Sequence, residues 1–163
     1  MIVLLLACAE PVDSAVVDTS VCPPEGEGAV LDLGFTNCAG DPTSLHDLCG
    51  SPALITAWYG WCPTCNDNAA LARTLADEHP DLTVAVALTE DPLSAPVDAD
   101  LCVQYEQTYP SSVATWMDPE AALAAYGTTD YVLVLDANGR VAFSRETSTE
   151  ATIRAAVDAV VAD

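Results

Sequence analysis

The chain contains no lysine, and its four cations, Arg73, Arg140, Arg145 and Arg154, face 25 aspartates and glutamates, for a formal charge of −21. A surface of that sign repels phosphate backbones and anionic bilayers, so nucleic acid is excluded as a partner and so is electrostatic attachment to a membrane. Such acidity reads as a heavily solvated surface suited to a salty medium. No segment reaches the roughly 20 consecutive apolar residues that a bilayer-spanning helix needs. Histidine is scarce as well: His46 and His79 stand far apart, His46 as a surface or hinge residue and His79 as a cation at a helix end. No internal repeat is present. The chain has 163 residues, 51% of them apolar, enough for one domain with its own core.

Cysteine, by contrast, is plentiful, with seven in the chain, two of them in Trp61-Cys62-Pro63-Thr64-Cys65. The apolar segment Ala53 to Trp58 leads into this motif, and a helix-like stretch closed by His79-Pro80 follows it. A Cys-x-x-Cys pair between a strand and a helix suits redox chemistry. The attacking species is a thiolate, and a helix N-terminus offers it unpaired N–H groups and the positive end of the dipole. Cys62 is therefore the candidate nucleophile. Cys65, about one turn on, can attack a mixed disulfide at Cys62 and release the substrate. Pro63 suits the first helical turn, Trp61 can shield one side of the pair, and the Pro63-Thr64 dipeptide tunes the potential. The two thiols supply the chemistry, and no cofactor is expected. Two plainer readings stand beside this one: a structural disulfide, and half of a zinc site, which lacks a second closely spaced ligand pair here.

The other cysteines speak to compartment. Leu5-Leu6-Ala7-Cys8 resembles the lipobox of bacterial lipoproteins, although only seven residues precede the cysteine and none is basic. This marks 1–7 as a short signal peptide, Cys8 as the lipid anchor, 8–28 as a polar tether and 29–163 as the folded domain. Cys22, Cys38, Cys49 and Cys102 then form an even set, which fits two structural disulfides in an oxidising compartment. Of three possible connectivities the most local is Cys38–Cys49, leaving Cys22–Cys102. A free, buried Cys102 within a helix-like stretch is the alternative.

Ala29 to Thr36 reads as a first strand, and Ser44 to Leu48 as a short helical turn. Leu82 to Leu88 is a nearly unbroken apolar run, the mark of a strand covered on both faces and placed beside the strand that carries the motif. Helices are expected through 98–108 and 119–126. Tyr131 to Leu135 and Arg140 to Phe143 form a hairpin with Asn138-Gly139 at its tip. Ser148 to Val161 is an amphipathic helix capped by Ser148 or Thr149. Trp58 and Trp116 read as core aromatics. Alternating strands and helices indicate an α/β sandwich around a central mixed sheet.

From about Ala29 to Val161, the order of elements, the Trp-Cys-Pro-Thr-Cys motif and the Asp136-to-Arg140 hairpin resemble the thioredoxin-like fold, in particular exported lipoproteins of the TlpA and ResA type. The resemblance implies a three-layer sandwich, a central mixed sheet flanked by helices, with an extra N-terminal hairpin. It implies a thiol–disulfide oxidoreductase, lipid-anchored on the periplasmic side of the bacterial cell envelope, acting on protein thiols or disulfides and served by a membrane electron donor. The chain departs from this group at three places. The family places a cis-proline where this chain has Asp130, so Thr129-Asp130 would shape the docking site differently, and the loss of that proline leaves room for a rival role as a Cu(I)- or zinc-binding chaperone. The buried acid of the redox strand aligns with Thr56, which points to Glu90 or Asp91 as a replacement proton acceptor. Tyr59-Gly60 precedes Trp61 where the group has a small and then a polar residue. A further rival is a non-catalytic interaction module.

Overall fold

The computed structural model describes residues 28–109, 112–127 and 129–162. The segment expected as a signal peptide, Cys8 expected as a lipid anchor, the expected tether up to residue 27 and Cys22 lie outside the described residues. The elements run β1 (Gly34–Asn37), β2 (Pro42–Ser44), β3 (Ala53–Tyr59), α1 (Pro63–Glu78), β4 (Thr83–Glu90), α2 (Ala99–Thr108), β5 (Ala114–Met117), β6 (Val132–Leu135), β7 (Val141–Arg145) and α3 (Glu150–Val161). They form one seven-stranded sheet in the order β2-β1-β5-β4-β3-β6-β7. The sheet is mixed: β3 and β4 are parallel, as are β4 and β5, whereas β6 and β1 run against their neighbours. This is the thioredoxin-like α/β sandwich, with β1 and β2 as the added N-terminal hairpin.

Every residue of β3 is buried, which explains why its sequence shows no polar alternation. The alternation appears instead in what each side chain touches. Leu54 packs with Leu75, Val132, Ile153 and Val157 beneath α1 and α3, and Trp58 packs with Val86, Leu88, Cys102 and Tyr105 beneath α1 and α2. Ile55, Ala57 and Tyr59 point the other way, onto Val30, Leu45, Leu123 and Tyr131. All three long helices therefore share one face. The other is closed by the N-terminal segment and by single 3₁₀ turns at Leu45–Leu48 and Ala122–Ala125. Arg73 joins α1 to α2 by stacking its guanidinium 4.0 Å over the Tyr109 ring.

Three expectations need correction. The segment from Ala29 is no continuous strand: Ala29 bridges to Arg140 and Val30 N–H donates to the Gly139 carbonyl at one edge of the sheet, so the chain must cross a face before β1 begins at Gly34 near the other edge. The helix expected through 119–126 is a single 3₁₀ turn, entered through Ala121 at φ 55° and capped by Asp118, whose carboxylate accepts from the N–H groups of Ala122 and Leu123. The pairing Cys38–Cys49 with Cys22–Cys102 is also overturned, because Cys38 bonds Cys102 across a Cα separation of 5.3 Å. Cys38 follows β1 and lies against Thr115 of β5, facing α2. The hairpin and 3₁₀ turn then carry Cys49 to the opposite edge, where its sulfur lies 3.9 Å from the Ala137 carbonyl. Cys49 is disulfide-bonded as well, and Cys102 is not free. Strand β5 was not read from the sequence at all.

Candidate redox site

The Cys-x-x-Cys turn is built where β3 runs out. The β3–β4 register shifts between Trp58 and Tyr59, Gly60 N–H donates to the Glu90 carbonyl at 2.8 Å, and Cys62 N–H donates back to Tyr59 at 2.9 Å. Only glycine fits this bend, since a Cβ on Gly60 would stand 2.6 Å from the Pro92 nitrogen. Cys62 is then the N-cap of α1 and Pro63 its first residue, where a missing N–H costs nothing.

Cys62 and Cys65 form a disulfide. Cys62 is 6% exposed and Cys65 fully buried, so the outer sulfur is the one a partner can reach. The Cys65 backbone N–H donates to Cys62 Sγ at 3.2 Å. For all the acidity of the chain, the first turn of α1 carries no acid. Nothing there opposes the dipole, and both effects favour a thiolate on Cys62 once the pair is reduced.

The surroundings are held by polar side chains. Trp61 stands 44% exposed beside the pair, its indole N–H donating to Glu90 Oε2 at 2.6 Å and its ring 5.6 Å from that of Tyr59. Glu90 is thus held by Trp61, and Asp91 Oδ1 accepts from the N–H groups of Leu93 and Ala95 in its own loop. Thr56 is buried beneath α1, and among the described residues its Oγ1 has no hydrogen-bond partner. Burial raises the Asp118 carboxyl above its ordinary range, against its two backbone hydrogen bonds, and burial also raises the Tyr59 hydroxyl. Thr64 is exposed at the turn.

Thr129 and Asp130 lie beside the Cys62–Cys65 turn. The Thr129 carbonyl lies 3.3 Å from Cys65 Sγ, and the Asp130 carbonyl accepts from Asn68 Nδ2 at 3.3 Å. Two residues that sequence reading passed over now matter. Asn66 accepts from the Trp58 indole and donates to the Cys62 carbonyl, and Asn68, 5% exposed, reaches the Asp130 loop. Their signal was present: two asparagines directly after the motif, in a helix that is otherwise alanine and leucine on its inner face. Among the described residues, no three His, Cys, Asp or Glu side chains are grouped to hold a metal ion.

The sequence model of the family described as Redoxin matches residues 24–160. Comparison with curated protein sequences gives no match. Among solved structures, one described as a putative thiol:disulfide interchange protein DsbE from Chlorobium tepidum superposes with a TM-score of 0.68 at 16% identity, over 85% of this chain and 99% of that one. One described as a secreted thiol-disulfide isomerase from Corynebacterium glutamicum gives 0.67 at 18%, over 82% and 86%. The exposed lipoprotein thioredoxin Etrx1 of Streptococcus pneumoniae gives 0.64 at 18%, over 79% and 99%. At these identities the likeness is one of fold.

Proposed function

The chain belongs to the Redoxin family, as an oxidoreductase in a thioredoxin-like fold, and we propose that it exchanges the Cys62–Cys65 disulfide with protein thiols on the outer side of the cytoplasmic membrane. In the reducing direction the Cys62 thiolate attacks a substrate disulfide, forming a mixed disulfide and expelling one substrate thiolate. Cys65 then loses its proton and attacks Cys62 Sγ. The intramolecular disulfide forms, and the second substrate sulfur leaves and is protonated. Two electrons and two protons pass from the protein pair to the substrate, and the oxidising direction is the reverse.

One observation carries this reading: Cys62 caps an acid-free helix N-terminus and receives the Cys65 N–H on its sulfur. Trp61, Pro63 and Thr64 line the approach, and Thr129-Asp130 forms its far wall. The even set of structural cysteines and the lipobox-like Leu5-to-Cys8 support an exported chain anchored through a lipid on Cys8, with 1–7 removed and residues 8–28 as the tether. The secreted and lipoprotein descriptions of two structural neighbours agree with that location. No described helix is long and apolar enough to cross a membrane.

The test is insulin reduction by the wild type, Cys62→Ser and Cys65→Ser. Cys62→Ser abolishes turnover and Cys65→Ser accumulates mixed disulfides. Full activity of Cys62→Ser would end the assignment. The reduction potential then gives the direction: a value near thioredoxin's roughly −270 mV means a reductant fed by a membrane donor, and one near roughly −120 mV a disulfide donor.

A further inference from the structure

The Thr129-Asp130 loop is fastened from three sides. Asn68 Nδ2 of α1 donates to the Asp130 carbonyl at 3.3 Å, the Thr147 backbone N–H donates to Asp130 Oδ2 at 3.0 Å, and the Ala57 N–H of β3 donates to the neighbouring Tyr131 carbonyl at 3.0 Å. Thr147 holds φ at 50°, a left-handed conformation that a β-branched residue keeps only where its surroundings impose it. The Asp130 carboxylate, taking that residue's N–H, is one such restraint. The segment between β7 and α3 and the second turn of α1 thus meet on a single residue.

That fastening fixes the Thr129 carbonyl 3.3 Å from Cys65 Sγ. In the reduced pair Cys65 carries a proton, and its S–H can donate to this carbonyl. A hydrogen bond to the neutral thiol favours it over the thiolate. Cys62 meets the opposite environment, a backbone N–H and a helix N-terminus, so the two sulfurs differ in when they ionise.

We propose that Asp130 is a positioning residue which, through its links to Thr147 and Asn68, holds the Thr129 carbonyl on Cys65 and so keeps the proton on the resolving thiol until the mixed disulfide has formed. This rests on the disulfide-exchange reading of Cys62 and Cys65. The proton then passes to the departing substrate thiolate as the Cys65 sulfur bonds Cys62 and the Cys62–substrate bond breaks. A firm clamp prolongs the mixed disulfide, and a loose one shortens it.

The experiment follows alkylation of Cys65 by iodoacetamide against pH, on its own peptide by mass spectrometry, in a Cys62→Ser background with Asp130 as wild type, Asp130→Ala or Asp130→Asn. The midpoint reports ionisation apart from access. Asp130→Ala should give about fivefold more Cys65 thiolate at a given pH, the effect of one lost hydrogen bond. Asp130→Asn, whose amide oxygen can still accept from Thr147, should keep the wild-type profile. A wild-type profile in Asp130→Ala, or an equal shift in both variants, overturns the proposal. Should Asp130→Ala fail to fold, Asn68→Ala must give the same downward shift, and its absence overturns the proposal equally. Failure of the exchange reading is seen separately: the otherwise unmutated protein would not reduce insulin, whatever the Cys65 profile does.

Discussion

The indole N–H of Trp58 donates to Asn66 Oδ1 at 2.8 Å, which joins the helix-covered face of β3 to the first turn of α1. From the same side chain Nδ2 reaches the Cys62 carbonyl at 3.0 Å. One amide thereby satisfies a buried indole and ties the redox turn to the core.

Asn66→Ala leaves the Trp58 N–H buried without a partner and should destabilise the fold by about 2 kcal/mol. Asn66→Asp keeps the oxygen that receives the indole and should recover most of that loss. Urea unfolding of the oxidised proteins measures both, and equal midpoints for wild type and Asn66→Ala would refute the link.

Gly60→Ala drives a methyl group into the backbone of Asp91 and Pro92, which cannot swing aside as a side chain tip could. The expected cost is roughly 2 kcal/mol, together with slower insulin reduction as the Cys62 turn shifts. A variant of unchanged stability and rate would show that the loop yields freely.

The Cys38–Cys102 bond closes a stretch with a sequence separation of 64 between buried sulfurs. Replacing both cysteines by alanine should lower stability by about 4 kcal/mol on loop entropy alone. Because this bond lies under α2, in a different part of the core from Cys62 and Cys65, insulin reduction below the new melting temperature should survive. Loss of turnover in a folded double variant would mean that this disulfide takes part in exchange.

Asp118 provides a pH test. Its native pKa is raised by burial above the ordinary 3.8, so over the window beginning at 3.8 and extending upward the folded chain holds a proton that the unfolded chain has released. Stability therefore falls as pH rises through that window. Asp118→Asn removes this share of the slope while leaving an oxygen to accept from one of the Ala122 and Leu123 N–H groups. Urea midpoints taken from pH 4 to 7 should decline less steeply in the variant, and parallel curves would count against the assignment.

What was legible in the sequence was local. The Cys62-Pro63 start of α1, the cap of α3 at Thr149, one of the two residues expected for it, and the Asn138-Gly139 hairpin each depend on a few consecutive residues, and each stands where it was expected. The Cys62–Cys65 pair was legible for the same reason. Apart from the single turn at Ala122–Ala125, set locally by Ala121 and Asp118, the misreadings turn on contacts between distant segments. Ala29 to Thr36 has strand composition, yet its ends belong to different sides of the sheet. Cys38 and Cys49 are close in the chain and far apart across β1 to β6. Ala114 to Met117 is too short to announce itself and becomes a strand because β4 and β1 both lie alongside. Likewise Asp130 showed itself in the sequence only as a missing proline, and its bonds to Asn68 and Thr147 exist only after α1 and the β7–α3 segment have come together.

At one margin of the sheet stands β2, three residues long and opening with Pro42, which has no N–H to offer. An open strand at such a margin invites pairing with a second chain. At this margin there is almost no backbone to pair with, so it is guarded against edge-to-edge association.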